Sequence, residues 1–246
     1  MNKKSDFFDK LGDLLREVDY LKNYLPAINK AGYPFIIIFV IASIFLSIFS
    51  DFLGWLGLIL TVWCVYFFRD PERTTPSEEN ILVSPADGKI LSISKEKTPE
   101  NLSDTKSQEM QKVSIFMNVF NVHVNRMPVS GKVVWLKYIP GMFFNASLDK
   151  ASKDNERMIS KIEIKKSVFV YVVQIAGLIA RRIKCDLSEN QDVKIGERFG
   201  IIRFGSRVDL YMPNDFKIKV LKNQTCIAGE TVIAESNTSK QNSKNK

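Results

Sequence analysis

Two almost wholly apolar segments, residues 34–50 and 52–68, constrain this chain more than any other feature. Each has 17 residues, and only Asp51 separates them. A helix needs roughly 20 residues to cross a bilayer, so each segment is slightly short for a full span. A tight helical hairpin that enters or crosses a membrane and a single long tilted span are both open. We favour the hairpin, because Asp51, with Gly54 and Gly57 nearby, marks a natural break.

Basic residues flank the apolar stretch, with Lys22 and Lys30 before it and Arg69 and Arg73 after it. Two passes would leave both ends in the cytoplasm, in agreement with the positive-inside tendency. The stretch starts too late and is too long for a cleaved signal peptide. We therefore expect a protein of the cell membrane whose remaining chain lies on the cytoplasmic side.

The first 30 residues are polar, with apolar side chains at helical spacing, which predicts an amphipathic helix. This helix could pack on its own domain or lie on the lipid surface, and the pattern does not separate the two. Its apolar positions are Phe7, Phe8, Leu11, Leu14, Leu15, Val18, Leu21 and Tyr24.

The region from Arg69 to about residue 235 is predicted to be mainly β, a compact β barrel or sandwich with short helices. Residues 94–110 are predicted to be a loop, residues 145–160 a short helix, and the tail 236–246 disordered. The predicted strands are Ile81–Val83, Lys89–Ile93, Lys112–Val124, Lys132–Tyr138, Ser167–Ile175, Gly177–Cys185, Phe199–Phe204, Arg207–Tyr211, Phe216–Leu221 and Thr231–Ala234.

The chain is basic, with 246 residues, a formal net charge of +8 and a pI of about 9.3. Such a balance suits nucleic acid or an anionic membrane. No nucleic-acid-binding motif is present, so we expect an anionic membrane and no nucleic acid as partner. The three cysteines, Cys64, Cys185 and Cys226, include no Cys-x-x-Cys pair, which argues against a disulfide framework and a structural zinc site. No metal ligands are predicted.

His123 is the single histidine of the chain. Strand alternation places it on one face with Ile115 and Met117, and this face turns from apolar to polar towards Asn125. A strand that runs from a core into a pocket would have this pattern. A proton carrier for catalysis and a hydrogen-bonded structural histidine are equally open.

Asp87 lies in Pro85-Ala86-Asp87-Gly88, which by itself is a plain turn signature. Gly88 would let the chain reverse sharply and present the carboxylate. Beside His123, that carboxylate would orient the imidazole and stabilise its charged form.

Gly205-Ser206 lies between two strand-like stretches and could be an ordinary turn. Gly205 leaves the carbonyl before Ser206 unshielded and permits strained backbone geometry. Both properties suit attack by the Ser206 hydroxyl on its own preceding peptide bond. The Gly-x-Ser-x-Gly pattern is absent, which disfavours a lipase-type serine hydrolase.

The chain resembles the phosphatidylserine decarboxylase proenzymes in their shorter bacterial form. Each matching piece is weak alone, but their joint occurrence in this order is a strong signal. The pieces are Phe68-Arg69-Asp70-Pro71-Glu72-Arg73, Pro85-Ala86-Asp87-Gly88, Phe120-Asn121-Val122-His123-Val124-Asn125-Arg126-Met127-Pro128, Pro140-Gly141, Phe144-Asn145-Ala146, Asn155-Glu156-Arg157 and Arg203-Phe204-Gly205-Ser206-Arg207-Val208-Asp209.

The resemblance implies that Ser206 cuts the bond after Gly205, giving a β chain 1–205 and an α chain 206–246 that stay together. Ser206 would become a covalent pyruvoyl group, the cofactor. Phosphatidylserine would bind to this group as a Schiff base and lose CO2, giving phosphatidylethanolamine for phospholipid biosynthesis. A homodimer is compatible with this interpretation.

The resemblance also assigns roles to Asp87 and His123, which would assist cleavage and catalysis. Longer relatives have a second histidine at the position of Arg126. His123 could then do the work of both, or Arg126 could bind the substrate carboxylate or phosphate, or Arg126 could be a surface charge. Arg207 is a further candidate for substrate binding.

These inferences divide the chain into an amphipathic helix and membrane anchor (1–68), a catalytic β domain (69–235) and a tail (236–246). One alternative is a membrane-tethered, non-catalytic β-sandwich carrier or adaptor, suggested by the run Ile227–Glu235. Another is the same chemistry on a different serine-headgroup lipid.

Overall fold

The computed structural model describes residues 26–78, 80–99, 109–147, 154–178, 182–203 and 205–236. These residues fall into two compact units, divided between Glu72 and Arg73. The amphipathic helix predicted within the first 30 residues lies almost wholly outside the described residues. The tail predicted to be disordered also lies outside them, except for Ser236, which ends a strand.

The first unit is a pair of apolar helices, α1 (Tyr33–Ser47) and α2 (Asp51–Phe67), joined by residues 48–50. Pro34 lies in the first turn of α1, where its missing N–H costs no helical hydrogen bond. Asp51 opens α2, where a negative charge interacts favourably with the helix dipole. The break predicted at Asp51 is confirmed, and a single continuous helix is wrong.

Short strands hold the two ends of this helical pair together. Strand β1 (Ala27–Ile28) pairs antiparallel with β2 (Arg69–Asp70). Between the helices, the Ser43 hydroxyl donates to the Gly54 carbonyl oxygen at 3.1 Å. The chain therefore enters and leaves the helical pair at the same end.

Among the described residues, one helical segment is long and apolar enough to cross a membrane by length and composition: Lys30–Ser47, which joins a 3-10 turn (Lys30–Gly32) to α1. Its outward side chains are exposed in the isolated chain, with Ile38 and Ile41 each 62% exposed. Helix α2 is apolar but shorter. Insertion of the pair into a membrane stays a prediction.

The second unit is built from strands. They are β3 (Ile81–Val83), β4 (Gly88–Lys97), β5 (Glu109–Met117), β6 (Val124–Arg126), β7 (Gly131–Ile139), β8 (Arg157–Lys165), β9 (Val168–Ala176), β10 (Ile183–Cys185), β11 (Asp192–Val193), β12 (Arg198–Ile202), β13 (Ser206–Met212), β14 (Phe216–Ile218), β15 (Thr225–Cys226) and β16 (Val232–Ser236). The predicted mainly β class is confirmed.

The described strands of this unit form three antiparallel sheets. The largest has the order β11-β7-β8-β9-β13-β5-β4-β15 and curls into a half-barrel. Two smaller sheets have the orders β10-β12-β6 and β14-β16-β3. One apolar cluster joins all three, with Val208 and Leu210 from the large sheet, Phe199 from β12 and Ile233 from β16. This core fixes the small sheets against one face of the half-barrel.

Several predicted element boundaries are wrong. The strand predicted over Lys112–Val124 ends at Met117, and the chain continues as β6 in another sheet. Asn118 and Asn121 cause the break, because their side-chain oxygens accept the backbone N–H groups of Phe120 and Asn118. The core face of β5 was predicted correctly, but His123 does not continue it.

The sequence reading also missed strand β8. The helix predicted within residues 145–160 overlaps the start of β8 at Arg157, while residues 148–153 lie outside the description. Only Ile183–Cys185 of the strand predicted over Gly177–Cys185 is in a strand among the described residues.

Candidate active site

One edge of the large sheet gathers the candidate residues from distant parts of the sequence. Strand β13 begins at Ser206, which pairs with Met117 at the end of β5 and with Ala176 at the end of β9. Strand β4 begins at this same edge, directly after Asp87. Neighbouring strands lie about 4.8 Å apart, which places the start of β4 about 10 Å from Ser206.

The bond between Gly205 and Ser206 lies where the chain passes from a small sheet to the large one. Gly205 has a φ of +72°, a left-handed conformation that favours glycine. The Ser206 side chain is fully buried, on the same face of β13 as Val208 and Leu210. Its hydroxyl has no hydrogen-bond partner among the described residues. An unpaired buried hydroxyl costs about 1–3 kcal/mol, so it calls for a functional explanation.

His123 is fully buried beside this bond. Its Nε2 accepts the Gly205 N–H at 3.3 Å, and its Nδ1 lies 2.9 Å from the Asn121 carbonyl oxygen. A carbonyl can only accept, so Nδ1 carries the proton and Nε2 presents a lone pair. Its backbone carbonyl also accepts the N–H of Ile202, the last residue of β12. The imidazole therefore directs its unprotonated nitrogen at the segment that contains the bond.

Asp87 is buried at the same end of the unit. Its Oδ2 accepts from the Arg73 guanidinium at 2.8 Å, and its Oδ1 accepts from the Ala228 amide at 2.7 Å. Both interactions favour a charged carboxylate. The loop also contacts β6, because the Pro85 carbonyl oxygen accepts the Arg126 N–H at 3.0 Å. That Asp87 orients the His123 ring stays a prediction.

Arg126 is buried, so its interpretation as a surface charge is wrong. Its guanidinium donates to the Gly196 carbonyl oxygen at 2.9 Å. A cation on the strand that follows His123 is compatible with a role towards an anionic headgroup.

Arg207 occupies the opposite face of β13 from Ser206. Its guanidinium donates to the two Asp209 carboxylate oxygens at 2.6 and 3.1 Å and to the Ser114 hydroxyl at 2.8 Å. Arg207 and Asp209 are each 1% exposed. This enclosure favours a structural role, and substrate binding by Arg207 stays a prediction.

Comparison with known proteins gives the family. The sequence profile of phosphatidylserine decarboxylase matches residues 60–234. The chain belongs to the phosphatidylserine decarboxylase family. Two relatives carry the name phosphatidylserine decarboxylase proenzyme, one from Rickettsia typhi and one from Rickettsia prowazekii. Each is 52% identical over 208 residues, which is 85% of this chain and 90% of the relative.

The matched region contains every site residue that the sequence resemblance indicated. In this member of the phosphatidylserine decarboxylase family, the fold brings His123 into contact with Gly205 and places Asp87 and Ser206 at one sheet edge. Membership of the family also favours an enzyme over the carrier or adaptor alternative.

Positive charge lies next to the Gly205–Ser206 bond in this decarboxylase-family chain. Burial and the nearby charge of Arg182 both lower the pKa of Arg203, with burial the larger cause. The sequence did not single out Arg182, because it comes close to Arg203 through the pairing of β10 with β12, which leaves no local pattern.

Two further residues near the bond had no predicted role. Gly177 lies against the Gly205 carbonyl group, and Asn155 hydrogen-bonds to the Ala176 carbonyl oxygen at 2.7 Å. Asn155 belongs to a motif of the family resemblance, but nothing in the motif indicated its target. The signal that could have found Gly177 is a glycine at the junction of two predicted apolar strands.

A cavity of about 560 Å³ lies away from this edge of the large sheet. Val168, Ile81, Phe216 and Lys165 are among its lining residues. Val168 opens β9, whereas the Ser206 partner Ala176 closes it, so the strand length separates cavity and bond by roughly 25 Å. The candidate active site is therefore located by the buried polar groups around the Gly205–Ser206 bond and not by the volume of this cavity.

Proposed function

We propose that this chain cuts itself between Gly205 and Ser206 and becomes a pyruvoyl-dependent phosphatidylserine decarboxylase. Its product would be phosphatidylethanolamine, for phospholipid biosynthesis at the cell membrane. The observation that carries the proposal is the buried, unpaired Ser206 hydroxyl next to a peptide unit held by His123.

The cut needs no external reagent except water. The Ser206 hydroxyl oxygen adds to the Gly205 carbonyl carbon, and the C–N bond breaks, leaving an ester and a free amine on residue 206. Loss of the residue 206 α-proton then expels the Gly205 carboxylate and leaves an enamine. Water hydrolyses the corresponding imine, releases ammonia and leaves a pyruvoyl group as the new amino terminus.

His123 is suited to move protons at this bond, because its Nε2 is unprotonated and faces the Gly205 backbone. We assign to Nε2 the removal of the Ser206 hydroxyl proton and its transfer to the residue 206 nitrogen as the C–N bond breaks. For this, Nε2 must exchange the Gly205 N–H for the Ser206 O–H, because the two are not hydrogen-bonded before the attack. Asp87 keeps negative charge at the same sheet edge, held by Arg73 and the Ala228 amide. Such a charge would stabilise an imidazolium formed nearby.

A carbonyl-bearing group made from residue 206 fits this site. The Ser206 hydroxyl that it replaces makes no hydrogen bond with the described residues, so the conversion breaks none of them. When present, the pyruvoyl group supplies an electron-withdrawing carbonyl that accepts the electron pair left by departing CO2. The chain contributes burial around residue 206 and positive charge from Arg203, Arg182 and Arg126. These cations suit a substrate with a carboxylate and a phosphate.

The apolar helical pair suits a lipid substrate, and we propose that it anchors the protein, with the catalytic unit on the cytoplasmic side. The two chains would stay together, since β13 lies between β5 and β9 in the large sheet.

Mass spectrometry of the purified full chain tests the cut. We expect two fragments, 1–205 and 206–246, and borohydride should add two hydrogens to the smaller one. Ser206→Ala should remain one chain, whereas Ser160→Ala, an equally buried serine of β8, should be cut normally. An uncut wild-type chain with full activity would overturn the proposal.

Release of labelled CO2 from carboxyl-labelled phosphatidylserine tests the substrate. Cut wild-type protein should release it, and uncut Ser206→Ala should not. Parallel assays with ether-linked and acyl-linked serine lipids would separate phosphatidylserine from other serine-headgroup lipids. Failure of cut protein to release CO2 from any of them would refute the assignment.

A further inference from the structure

We propose that Gly177 and Asn155 are positioning residues for self-cleavage, which together hold the Gly205 carbonyl group where Ser206 attacks it. The inference rests on the proposed cleavage after Gly205. It concerns the Gly205 carbonyl group, whereas His123 contacts the Gly205 N–H, and it explains why a glycine follows β9.

The first observation is the close approach of two backbone segments. A Cβ atom on Gly177 would overlap the Gly205 carbonyl oxygen and lie 2.9 Å from its carbonyl carbon. Any side chain at residue 177 would therefore push this carbonyl group away. The carbon of this carbonyl group is the electrophile of the proposed cut. A side chain at residue 177 would therefore displace the group that Ser206 attacks.

The second observation is a buried clamp on the residue before Gly177. Asn155 is fully buried, and its Nδ2 donates to the Ala176 carbonyl oxygen at 2.7 Å and to the Phe144 carbonyl oxygen at 2.8 Å. Its Oδ1 accepts the Phe144 N–H at 2.9 Å. Every donor and acceptor group of this amide is thus engaged in fixing two backbone segments.

The clamp and the bond are linked through the sheet. Ala176 pairs with Ser206, and the Ala176 N–H donates to the Glu156 carbonyl oxygen at 2.9 Å. Asn155 and Glu156 therefore fix Ala176 from the side away from β13. With Ala176 fixed, Gly177 provides a rigid surface against which the Gly205 carbonyl rests.

A displacement of this carbonyl should slow the cut strongly. Misplacing a reacting group by about 1 Å can cost about 100-fold in rate. We expect Gly177→Ala to reduce the first-order rate of cleavage by about this factor. The block would lie before the ester, because the attack itself loses its geometry.

Gly131→Ala is the matched control. A Cβ on Gly131 would overlap the Glu163 carbonyl oxygen and lie 3.2 Å from its carbonyl carbon, at the far end of the same sheet. Gly131 and Gly177 both lack a positive φ, so each substitution adds only a steric overlap. The two variants should lose similar stability and differ in cleavage.

The experiment follows the uncut fraction of the full chain by mass spectrometry after cell-free synthesis with neutral phospholipid vesicles. Each variant is followed with and without hydroxylamine, which cleaves an ester between residues 205 and 206. We expect hydroxylamine to accelerate cleavage of wild-type and Gly131→Ala chains and to leave Gly177→Ala chains uncut. Asn155→Ala should be slowed at least about tenfold, by looser positioning.

Equal cleavage of Gly177→Ala and Gly131→Ala would overturn the inference while the proposed function stands. Rapid formation of a hydroxylamine-sensitive ester in Gly177→Ala would also overturn it. If Gly177→Ala does not fold, Asn155→Ala decides, and cleavage at the wild-type rate in that variant refutes the clamp. A wild-type chain that never cuts itself would instead refute the proposed function.

Discussion

The buried Arg207–Asp209 pair gives a prediction whose size follows from the structure. Replacing Asp209 with Leu leaves the Arg207 guanidinium 1% exposed and without its carboxylate partner. Breaking a buried ion pair in this way typically costs about 3–5 kcal/mol. For a unit of this size, that loss should lower the melting temperature by about 6–20 °C.

The double variant Arg207→Met/Asp209→Leu separates the contribution of the ion pair from the cost of leaving one charge buried and unpaired. Replacing both charges with apolar side chains removes the desolvation cost along with the attraction, so stability should return to within about 1–2 kcal/mol of the parent. The exposed pair Lys184–Asp186 is the control, with side chains 48% and 56% exposed. Asp186→Asn should cost less than about 1 kcal/mol.

Thermal unfolding in detergent, followed by near-ultraviolet circular dichroism, measures these differences. All variants should carry Ser206→Ala, so that each sample is one uncut chain. An Asp209→Leu variant as stable as its parent would refute the reasoning. In a separate Arg207 variant that keeps Ser206 and is stable and cut, a specific rise in KM for phosphatidylserine would instead establish Arg207 as a headgroup contact.

Three other predictions test the site and its surroundings. Gly205→Ala should slow self-cleavage about 5–30-fold in a mass-spectrometric time course, because a left-handed φ costs alanine about 1–2 kcal/mol. Gly205→Asn should be slowed less. Equal cleavage rates for the two variants would contradict this. Asp87→Asn should slow cleavage and remove its coupling to Arg73, measured in a double-mutant cycle with Arg73→Gln, and additive effects would argue against the pair. Burial raises the pKa of Cys226 to about 11. The free energy of unfolding should therefore be steady below about pH 9 and fall by about 2–3 kcal/mol towards pH 11. Denaturant titrations of Cys226→Ala should show a smaller decline. An unchanged pH profile would contradict this assignment.

The limits of the sequence reading have physical causes. Strand β9 was predicted because its Val-rich run is apolar on both faces, as a central strand requires. Strand β8 was missed because Lys161, Glu163 and Lys165 make its pattern look polar, although Ile162 is fully buried. Local alternation cannot show that this half-barrel buries part of both its faces.

The candidate site was predictable only in part. Ser206, Gly205, His123 and Asp87 were named from motifs, and the contact of His123 with Gly205 supports that grouping. Gly177 was not named, and Asn155 was named only as part of a motif, because their role depends on the pairing of β9 with β13. Such pairing joins segments about 30 residues apart, and no local pattern specifies it.

The central position of β13 has a consequence for how a cut protein could regain its fold. The strand lies between β5 and β9, and β16, further along the same fragment, pairs with β3. Before the cut, folding is an event within one molecule. After it, unfolding would yield two molecules, so refolding would depend on their concentration. The mature protein would then persist through slow unfolding, and dilution after denaturation would leave it unable to reassemble.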